Sequence, residues 1–501
     1  MGFTTQAFLF LFFPVCTAAY LAVEWAGRIA LLSGVLKRCR AGDWVLIVFS
    51  LGFYMWACFD DVFRLCLYIL AVYAAGRCIR RSREKGLYLQ VRRTGETETA
   101  SLPRLPLARV PLILSLCGLV LLLAHFRYRG MLTQVWNGIF GDSVEARSVL
   151  APLGISFITF SAISYLVDIY WGKAEAGSLV DCALYLSFFP KVVSGPIVLW
   201  RDFQAQIEGR KPTLAQRVDG INRIMIGFAK KLLLADQFGA CISRIGDWGY
   251  DKVTAWGAVL LYMLQIYYDF AGYSDIAIGL AKLFGFEIKE NFNFPYRSRS
   301  ISEFWRRWHI SLGTWFREYV YIPLGGSRLG QRRTLWNLAM VFLLTGIWHG
   351  AGWTYMLWGG INGAFVLLER VIQDKKAYQK TPEGLKWAAT MFITMMCWEL
   401  FRFQSIHDCW NWIKVMVGLR GFERIPFTWQ YQFDTQVVFF IIVGIFGATV
   451  LGDDRVRAWY RRAVSTRVGF AIQEIVLFAV FLIAILFMVN STYNPFIYFQ
   501  Y

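Results

Sequence analysis

Apolar residues run along this chain in long stretches that short polar segments separate. Each of the clearest stretches is close to the roughly 20 residues that an α-helix needs to cross the hydrocarbon core of a bilayer. They cover residues 6–23, 110–125, 148–170, 255–270, 387–401, 436–451 and 472–490. Four shorter stretches, at 44–59, 62–75, 335–348 and 353–368, end at charges or glycines, so some of them could lie on the membrane or enter it without crossing. The pattern predicts an all-α protein that crosses the membrane many times.

The composition agrees with this pattern. Of the 501 residues, 57% are hydrophobic and only 17% are charged, which is more apolar side chain than one soluble core needs. The stretch 6–23 has the length of a signal peptide's apolar segment, but no positive residues precede it, and we interpret it as a retained helix. We see no internal repeat and no long linker. We therefore expect one domain over residues 1–501, with its core at 150–403.

The net charge of +18 could indicate nucleic-acid binding, but the placement of the charge argues against such a partner. Short loops rich in Lys and Arg stay on the cytoplasmic side of a membrane. Two such loops flank a turn with Asp60 and Asp61, and their basic residues are Arg28, Lys37, Arg38, Arg40, then Arg77, Arg80, Arg81, Arg83, Lys85, Arg92 and Arg93. The polar segment 77–109 is accordingly predicted as a cytoplasmic loop. Residues 282–330, basic, aromatic and rich in Pro and Gly, suit the membrane interface.

Charged and polar side chains at bilayer depth are the candidates for chemistry. A charge there costs about 2.5–3.5 kcal/mol on insertion scales, so one that persists usually has a role. The candidates are Asp168, Asp269, Asp275, His309 and His349. The ten cysteines are scattered without a CxxC pair, so we expect buried apolar cysteines and no metal.

His349 is the sharpest candidate. It ends an apolar stretch within TGIWHGAGW, where Gly346, Gly350 and Gly352 would let a backbone or a ligand approach closely. Imidazole is the side chain best matched to proton transfer near neutral pH. A histidine that is merely hydrogen-bonded within a helix bundle is the structural alternative. The flanking glycines and tryptophans favour function.

His309 lies in the segment SEFWRRWHISLGTWFR. At helical spacing its apolar residues can share one face, and an amphipathic helix at the membrane interface would explain the arginines without catalysis. That face would hold Phe304, Trp305, Trp308, Leu312 and Trp315. It would not explain why Glu303 and His309 lie so close to the glycines at 325 and 326. Three arginines could equally hold the phosphates of a bulky anionic donor such as coenzyme A: Arg306, Arg307 and Arg317.

Asp269 and Asp275 lie six residues apart in YYDFAGYSD. On one helix this spacing puts them on different faces, which makes them a poor general acid and base pair. We expect each carboxylate to anchor a neighbouring helix or loop, because an unpaired charge would be costly there. We assign the same structural role to Asp168 and Glu303.

The motifs of the second half together carry a resemblance. They read DFAGYSDIAIG, ENFNFPY and FWRRWHISLGTWFREYVYIPLGG between Asp269 and Gly326, followed by GIWHGAGW. This stretch resembles the membrane-bound O-acyltransferase family. The likeness extends to FLFLFFP at 8–14, GISFITFSAISYLVDIYWG at 154–172, FFPKVVSGPI at 188–197, FRF at 401–403 and the closing PFIYFQY. Within the family the chain is most similar to members that O-acetylate alginate, and more distantly to those that transfer D-alanine to teichoic acids.

The resemblance implies a fold and a set of roles. The fold would be a ring of about 11 tilted transmembrane helices, with re-entrant and interfacial helices, around a funnel or tunnel. His349 corresponds to the family's near-invariant histidine and would take the proton of an acceptor hydroxyl, while His309 would orient the donor or polarise its carbonyl. Substrate binding is assigned to Trp305, Arg306, Arg307, Trp308, Arg317 and Trp348. Acetyl-CoA or another acyl thioester would serve as donor substrate on the cytoplasmic side, with no bound cofactor.

The sequence therefore predicts an enzyme of the bacterial cytoplasmic membrane. It would move acetyl groups across the bilayer for O-acetylation of an extracytoplasmic polysaccharide, with an extracytoplasmic acetyltransferase as partner. D-alanyl transfer is the alternative within the family. A proton-coupled transporter or flippase would also carry sparse intramembrane Asp and His, and a scaffold for polysaccharide export would consume no thioester. The absence of inverted repeats and the crowding of special residues into one region favour the enzyme.

Overall fold

The computed structural model describes residues 2–29, 40–94, 106–142, 144–145, 151–248, 250–419 and 429–490. Within these ranges the regular structure is helical and contains no strand, which confirms the all-α prediction. Lys37, Arg38 and the closing PFIYFQY lie outside the described residues.

The packing of the chain separates two compact units. Unit 1 comprises Met1–Gly220 and Leu280–Lys289, and unit 2 comprises Ile221–Gly279 and Glu290–Tyr501. Both candidate histidines belong to unit 2. Each unit is described by itself below.

Unit 1 begins with a π-helical turn at Phe8–Phe12. Its helices are α1 (Phe13–Ala26), α2 (Ala41–Ala57), α3 (Phe59–Thr94), α4 (Pro106–Arg127), α5 (Arg129–Phe140), α6 (Ile155–Trp171), α7 (Leu179–Ser187), α8 (Phe189–Val192), α9 (Trp200–Ile207) and the start of α10 (Leu214–Ala229). Helix α3 packs against α4 and α6, and α4 also packs against α6. These three helices therefore pack against one another.

Helix α3 differs from the sequence prediction at its C-terminal half. We expected a loop from residue 77, but the helix continues to Thr94 and α4 starts at Pro106. The residues beyond 77 are rich in Arg, Lys, Glu and Leu, which favour helix. Arg80 also donates to Glu84 one turn later at 2.8 Å, a spacing that supports a helix. A basic segment is therefore compatible with a helix that extends past the apolar stretch.

Three helical segments of unit 1 are long and apolar enough to cross a membrane: Phe8–Ala26, Phe59–Gly86 and Leu107–Arg127. Only 11% of the most apolar window of Leu107–Arg127 is buried within the protein, so most of this helix has apolar side chains available to lipid. The stretch 62–75, which looked too short to cross, belongs to the long helix α3. The apolar helices α2 and α6 are shorter than a full span.

Unit 2 holds the end of α10, a π-helical turn at Lys230–Ala235 and the helices that carry the candidate site. They are α11 (Asp236–Trp248), most of α12 (Lys252–Leu283), α13 (Ile301–Arg307), α14 (Ile310–Phe316), α15 (Gln331–His349), α16 (Trp353–Ile372), α17 (Lys376–Lys380), α18 (Glu383–Arg402), α19 (Ile406–Met416), α20 (Trp429–Gln432), α21 (Thr435–Thr449), α22 (Asp454–Val464) and α23 (Arg467–Asn490). Thr435–Gly452 and Arg467–Asn490 are long and apolar enough to span.

The segment around His309 is not the continuous amphipathic helix that its spacing allowed. Helix α13 ends at Arg307, Trp308 is extended, and His309 has the left-handed values φ 45 and ψ 54 before α14 begins. A side chain with a Cβ rarely adopts this conformation, and such residues often mark functional sites. The break turns His309 into the protein interior, with 2% of its surface exposed.

Candidate active site

The two candidate histidines share one neighbour, Trp348. The ring centroid of Trp348 lies 6.2 Å from that of His309 and 4.8 Å from that of His349. The two imidazole centroids therefore lie within the sum of these distances, 11.0 Å, of each other. The structure thus brings together two residues that are far apart in sequence.

His349 is enclosed by aromatic rings. It is the last residue of α15 and is 5% exposed. Its ring makes edge contacts with Trp358 of α16 at 5.0 Å and with Phe401 of α18 at 5.1 Å. Residues of three helices, α15, α16 and α18, therefore surround the imidazole.

The glycines near His349 serve backbone packing. A Cβ on Gly346 would lie 2.5 Å from the backbone oxygen of Tyr355, and a Cβ on Gly359 would lie 2.6 Å from that of Phe342. These are closer than atoms can approach, so α15 and α16 pack at this distance only because both residues are glycine. The sequence left open whether Gly346 lets a backbone or a ligand approach closely. The structure shows a close backbone neighbour.

His309 is held through one ring nitrogen. Its Nδ1 lies 3.0 Å from Oδ1 of Asn291 and 3.4 Å from Oγ of Ser311. Its ring also packs edge-on against Phe270 at 4.7 Å. The Nε2 atom is buried and has no hydrogen-bond partner in the described part of the chain. His309 lies between α13 and α14, outside the candidate spans, and burial lowers its pKa to about 3, so the ring is neutral at physiological pH.

Asn291 was not assigned a role from the sequence, although it lies in the quoted motif ENFNFPY. Its backbone oxygen accepts from the N–H of Ile310 at 2.9 Å, and its side-chain Oδ1 accepts from the N–H of Ser311 at 3.2 Å. Its Nδ2 donates to Oγ of Ser274 on α12 at 3.1 Å. Asn291 therefore connects α12 to the break that carries His309. The motif identified the segment, but only the fold reveals which residue contacts the histidine.

The tryptophans that were predicted to bind substrate pack among the aromatic rings near the two histidines. Trp308 is 2% exposed, and its ring lies 4.8 Å from that of Trp398. Trp305 lies 5.4 Å from Trp358, which in turn contacts His349. Together with Trp348, these rings form one aromatic cluster around the candidate site.

The three arginines that were predicted to bind substrate form no described contact with His309 or His349. Arg307 pairs with Glu303 one turn earlier at 2.8 Å and donates to the backbone oxygen of Asn293 at 3.2 Å. Arg306 and Arg317 are exposed, and neither forms an ion pair with the described residues. Glu303 also accepts from the backbone N–H of Arg299 at 2.9 Å. The phosphate-binding role of these arginines stays a prediction.

The two carboxylates of α12 each meet cations from the π-helical turn Lys230–Ala235 or its neighbour α10. Asp275 accepts from Arg223 and from Lys230, both at 2.7 Å. Asp269 lies 2.8 Å from the ammonium of Lys231. A π-helical turn widens the helix locally, so consecutive lysines can reach two carboxylates on different faces of α12. Each carboxylate therefore contacts a cation of a neighbouring segment, and its role as an anchor stays a prediction.

Lys231 also donates to Asp236 at 2.6 Å, which makes a buried triad that the sequence did not reveal. Asp168 lies in unit 1, where it accepts from the backbone N–H of Arg201 at 3.2 Å and pairs with its guanidinium at 3.6 Å. Within the described residues no group of three or more His, Cys, Asp and Glu side chains could hold a metal ion.

The helices and the buried imidazoles define a multi-pass membrane protein with a candidate acid–base site. Comparison with known proteins then specifies the class, because residues 173–382 match the sequence profile of the MBOAT, membrane-bound O-acyltransferase family. The chain is similar to a probable alginate O-acetylase AlgI of Pseudomonas putida, with 33% identity over 532 aligned residues that cover 100% of both chains.

Two other relatives are similar over shorter lengths. A peptidoglycan O-acetyltransferase of Helicobacter pylori is 34% identical over 349 residues, which cover 62% of this chain and 66% of that protein. A teichoic acid D-alanyltransferase of Streptococcus thermophilus is 29% identical over 295 residues, which cover 53% of this chain and 71% of that protein. The chain belongs to the membrane-bound O-acyltransferase family. It is an O-acyltransferase, and the predicted resemblance is confirmed.

Proposed function

We propose that this protein transfers acetyl groups from a cytoplasmic thioester donor across the membrane, for O-acetylation of an extracytoplasmic polysaccharide of the alginate type. The observation that carries the proposal is the end-to-end similarity to an alginate O-acetylase, in a chain whose two buried imidazoles share Trp348. D-alanyl transfer has weaker support, because the similarity to the D-alanyltransferase covers only 53% of the chain. The bacterial sources of all three relatives favour a bacterial cytoplasmic membrane as the location.

The proposed chemistry uses His349 as the proton acceptor. The acceptor oxygen attacks the carbonyl carbon of the thioester while Nε2 or Nδ1 of the neutral imidazole takes the hydroxyl proton. The C–S bond then breaks, and the proton passes to the departing thiolate, so the products are an ester and a thiol. Removal of such a base typically costs a factor of about 10²–10⁴ in rate. His309 would orient the donor beside it.

The proposal includes a ring of about 11 helices around a tunnel, through which donor and acceptor reach His349 from opposite faces. Its support is the presence of five candidate spans in the described residues and the family membership. An extracytoplasmic acetyltransferase would receive the acetyl group or complete its transfer to the polysaccharide. Acetyl-CoA or an acetylated carrier would be consumed as substrate.

The test uses the purified protein in proteoliposomes with acetyl-CoA labelled in the acetyl group. We expect label to leave coenzyme A when an alcohol acceptor is present, and we expect His349→Ala to reduce this rate by a factor of about 10²–10⁴. His407→Ala is the matched control, because the side chain of His407 is 80% exposed on α19. An active His349→Ala variant would refute the role of His349. Uptake of acetyl-CoA or acetate without bond cleavage would indicate a transporter, and no use of thioester would indicate a scaffold.

A further inference from the structure

One nitrogen of His309 has its hydrogen bonds within the protein, and the other has none among the described residues. Whether Nε2 offers a proton or a lone pair depends on which nitrogen carries the hydrogen of the neutral ring. The contacts of Nδ1 therefore determine what kind of substrate group Nε2 can bind.

The orientation of the Asn291 amide answers this question. The backbone N–H of Ser311, which can only donate, points at the side-chain atom of Asn291 that also faces His309, at 3.2 Å. That atom must be the oxygen, since an NH₂ group there would set two donors against each other. The remaining NH₂ then donates to Ser274 at 3.1 Å, so both ends of the amide are satisfied.

Because an oxygen faces Nδ1 of His309 at 3.0 Å, Nδ1 must carry the hydrogen. The hydroxyl of Ser311 agrees, because it donates to the same oxygen at 2.8 Å and can offer only a lone pair to Nδ1. In the neutral ring Nε2 then carries a lone pair. A lone pair cannot polarise a carbonyl oxygen, which requires a hydrogen-bond donor.

We propose that Asn291 is a positioning residue that holds His309 in the Nδ1–H form, so that Nε2 accepts a hydrogen bond from an N–H or O–H of a bound substrate. This inference rests on the proposed acetyl transfer and replaces carbonyl polarisation as the role of His309. Two substrate groups have the required chemistry, namely the acceptor hydroxyl and the amide N–H next to the sulfur in the pantetheine arm of a thioester donor. In the described residues, the hydrogen-bond and ring contacts of the His309 side chain are with four uncharged side chains: Asn291, Ser311, Phe270 and Trp348.

The first test compares Asn291→Ala with Asn291→Asp in the acetyl-release assay. The alanine variant no longer holds His309 in the Nδ1–H form. We expect a loss of about tenfold in kcat/KM, as for one lost neutral hydrogen bond. The aspartate variant keeps an acceptor at Nδ1 and adds a charge that favours the imidazolium. It should recover part of the activity, because an acceptor again faces Nδ1.

Asn411→Ala is the control, because Nδ2 of Asn411 contacts Nδ1 of exposed His407 at 3.1 Å on α19. We expect wild-type rates for it. Thermal unfolding of every variant separates misfolding from altered chemistry. Wild-type kinetics in Asn291→Ala would overturn the inference, and so would a folded Asn291→Asp variant that is no more active than Asn291→Ala. A wild-type protein that releases no label would instead overturn the proposed function.

A second test identifies the substrate group. The acetyl thioester of N-acetylcysteamine has an amide N–H near the sulfur, and that of pentanethiol has none. If the donor amide binds Nε2, His309→Ala should abolish the preference for the amide-bearing thioester. If the acceptor hydroxyl binds there, the preference should persist and KM for the alcohol should rise instead. If neither of these two changes occurred, the proposed hydrogen bond would be contradicted.

Discussion

Replacing Lys231 by methionine would leave two buried carboxylates without the cation between them. Lys231 is 4% exposed in its side chain, and Asp236 and Asp269 are 4% and 1% exposed. The ammonium lies 2.6 Å from one carboxylate and 2.8 Å from the other. Methionine has nearly the same length, so the substitution removes the charge while it keeps most of the packing.

The expected cost follows from this geometry. Removing one partner of a buried ion pair typically destabilises a protein by about 3–5 kcal/mol, because the remaining charge stays buried without compensation. Here two like charges would remain, so the upper part of this range applies. The triple variant Lys231→Met, Asp236→Asn, Asp269→Asn should recover most of the loss, since neutral amides need no cation.

Thermal unfolding in detergent, followed by tryptophan fluorescence, measures the effect. Arg299→Met is the control, because Arg299 and its partner Glu383 are 59% and 56% exposed and such surface pairs contribute about 0–1 kcal/mol. A Lys231→Met variant as stable as the wild type would refute the reasoning. The same holds for a triple variant that is less stable than the single one.

Three further predictions test other features. Burial lowers the pKa of Lys191 from 10.5 to about 7, so between these pH values the unfolded chain binds more protons than the folded protein. The free energy of unfolding should therefore rise with pH by up to about 1.4 kcal/mol per pH unit. Lys191→Met should remove that slope in unfolding scans. Arg402→Met should destabilise the protein far more than Glu399→Gln. Only Arg402→Met leaves the fully buried carboxylate of Glu399 without the guanidinium that lies 3.4 Å away. Equal melting temperatures of the two variants would contradict this prediction. Gly346→Ala should lower both stability and acetyl release, since its Cβ would lie 2.5 Å from a backbone oxygen of α16; a normal melting temperature would show that the helices can separate at no cost.

The sequence determined the membrane character, the helical class and the family of this protein. An apolar stretch of spanning length forms a helix because the bilayer core offers no hydrogen-bond partner to the backbone, and a helix pairs its backbone N–H and C=O groups internally. Motifs such as GIWHGAGW name the catalytic candidates because a family's reaction depends on side-chain chemistry, which is written directly in the sequence. Helix ends were less predictable: a basic segment after residue 77 forms either a loop or a helix, and the local propensities of α3 decided for helix.

Only the tertiary structure decided which residues act on the histidines. The left-handed break at His309 and the contact of its Nδ1 with Asn291 depend on how α12 packs beside α13 and α14. The triad of Lys231, Asp236 and Asp269 likewise needs a π-helical turn next to another helix. A pattern along one helix shows which face is apolar, but the partner of a buried polar group is chosen by distances between segments that are far apart in the chain.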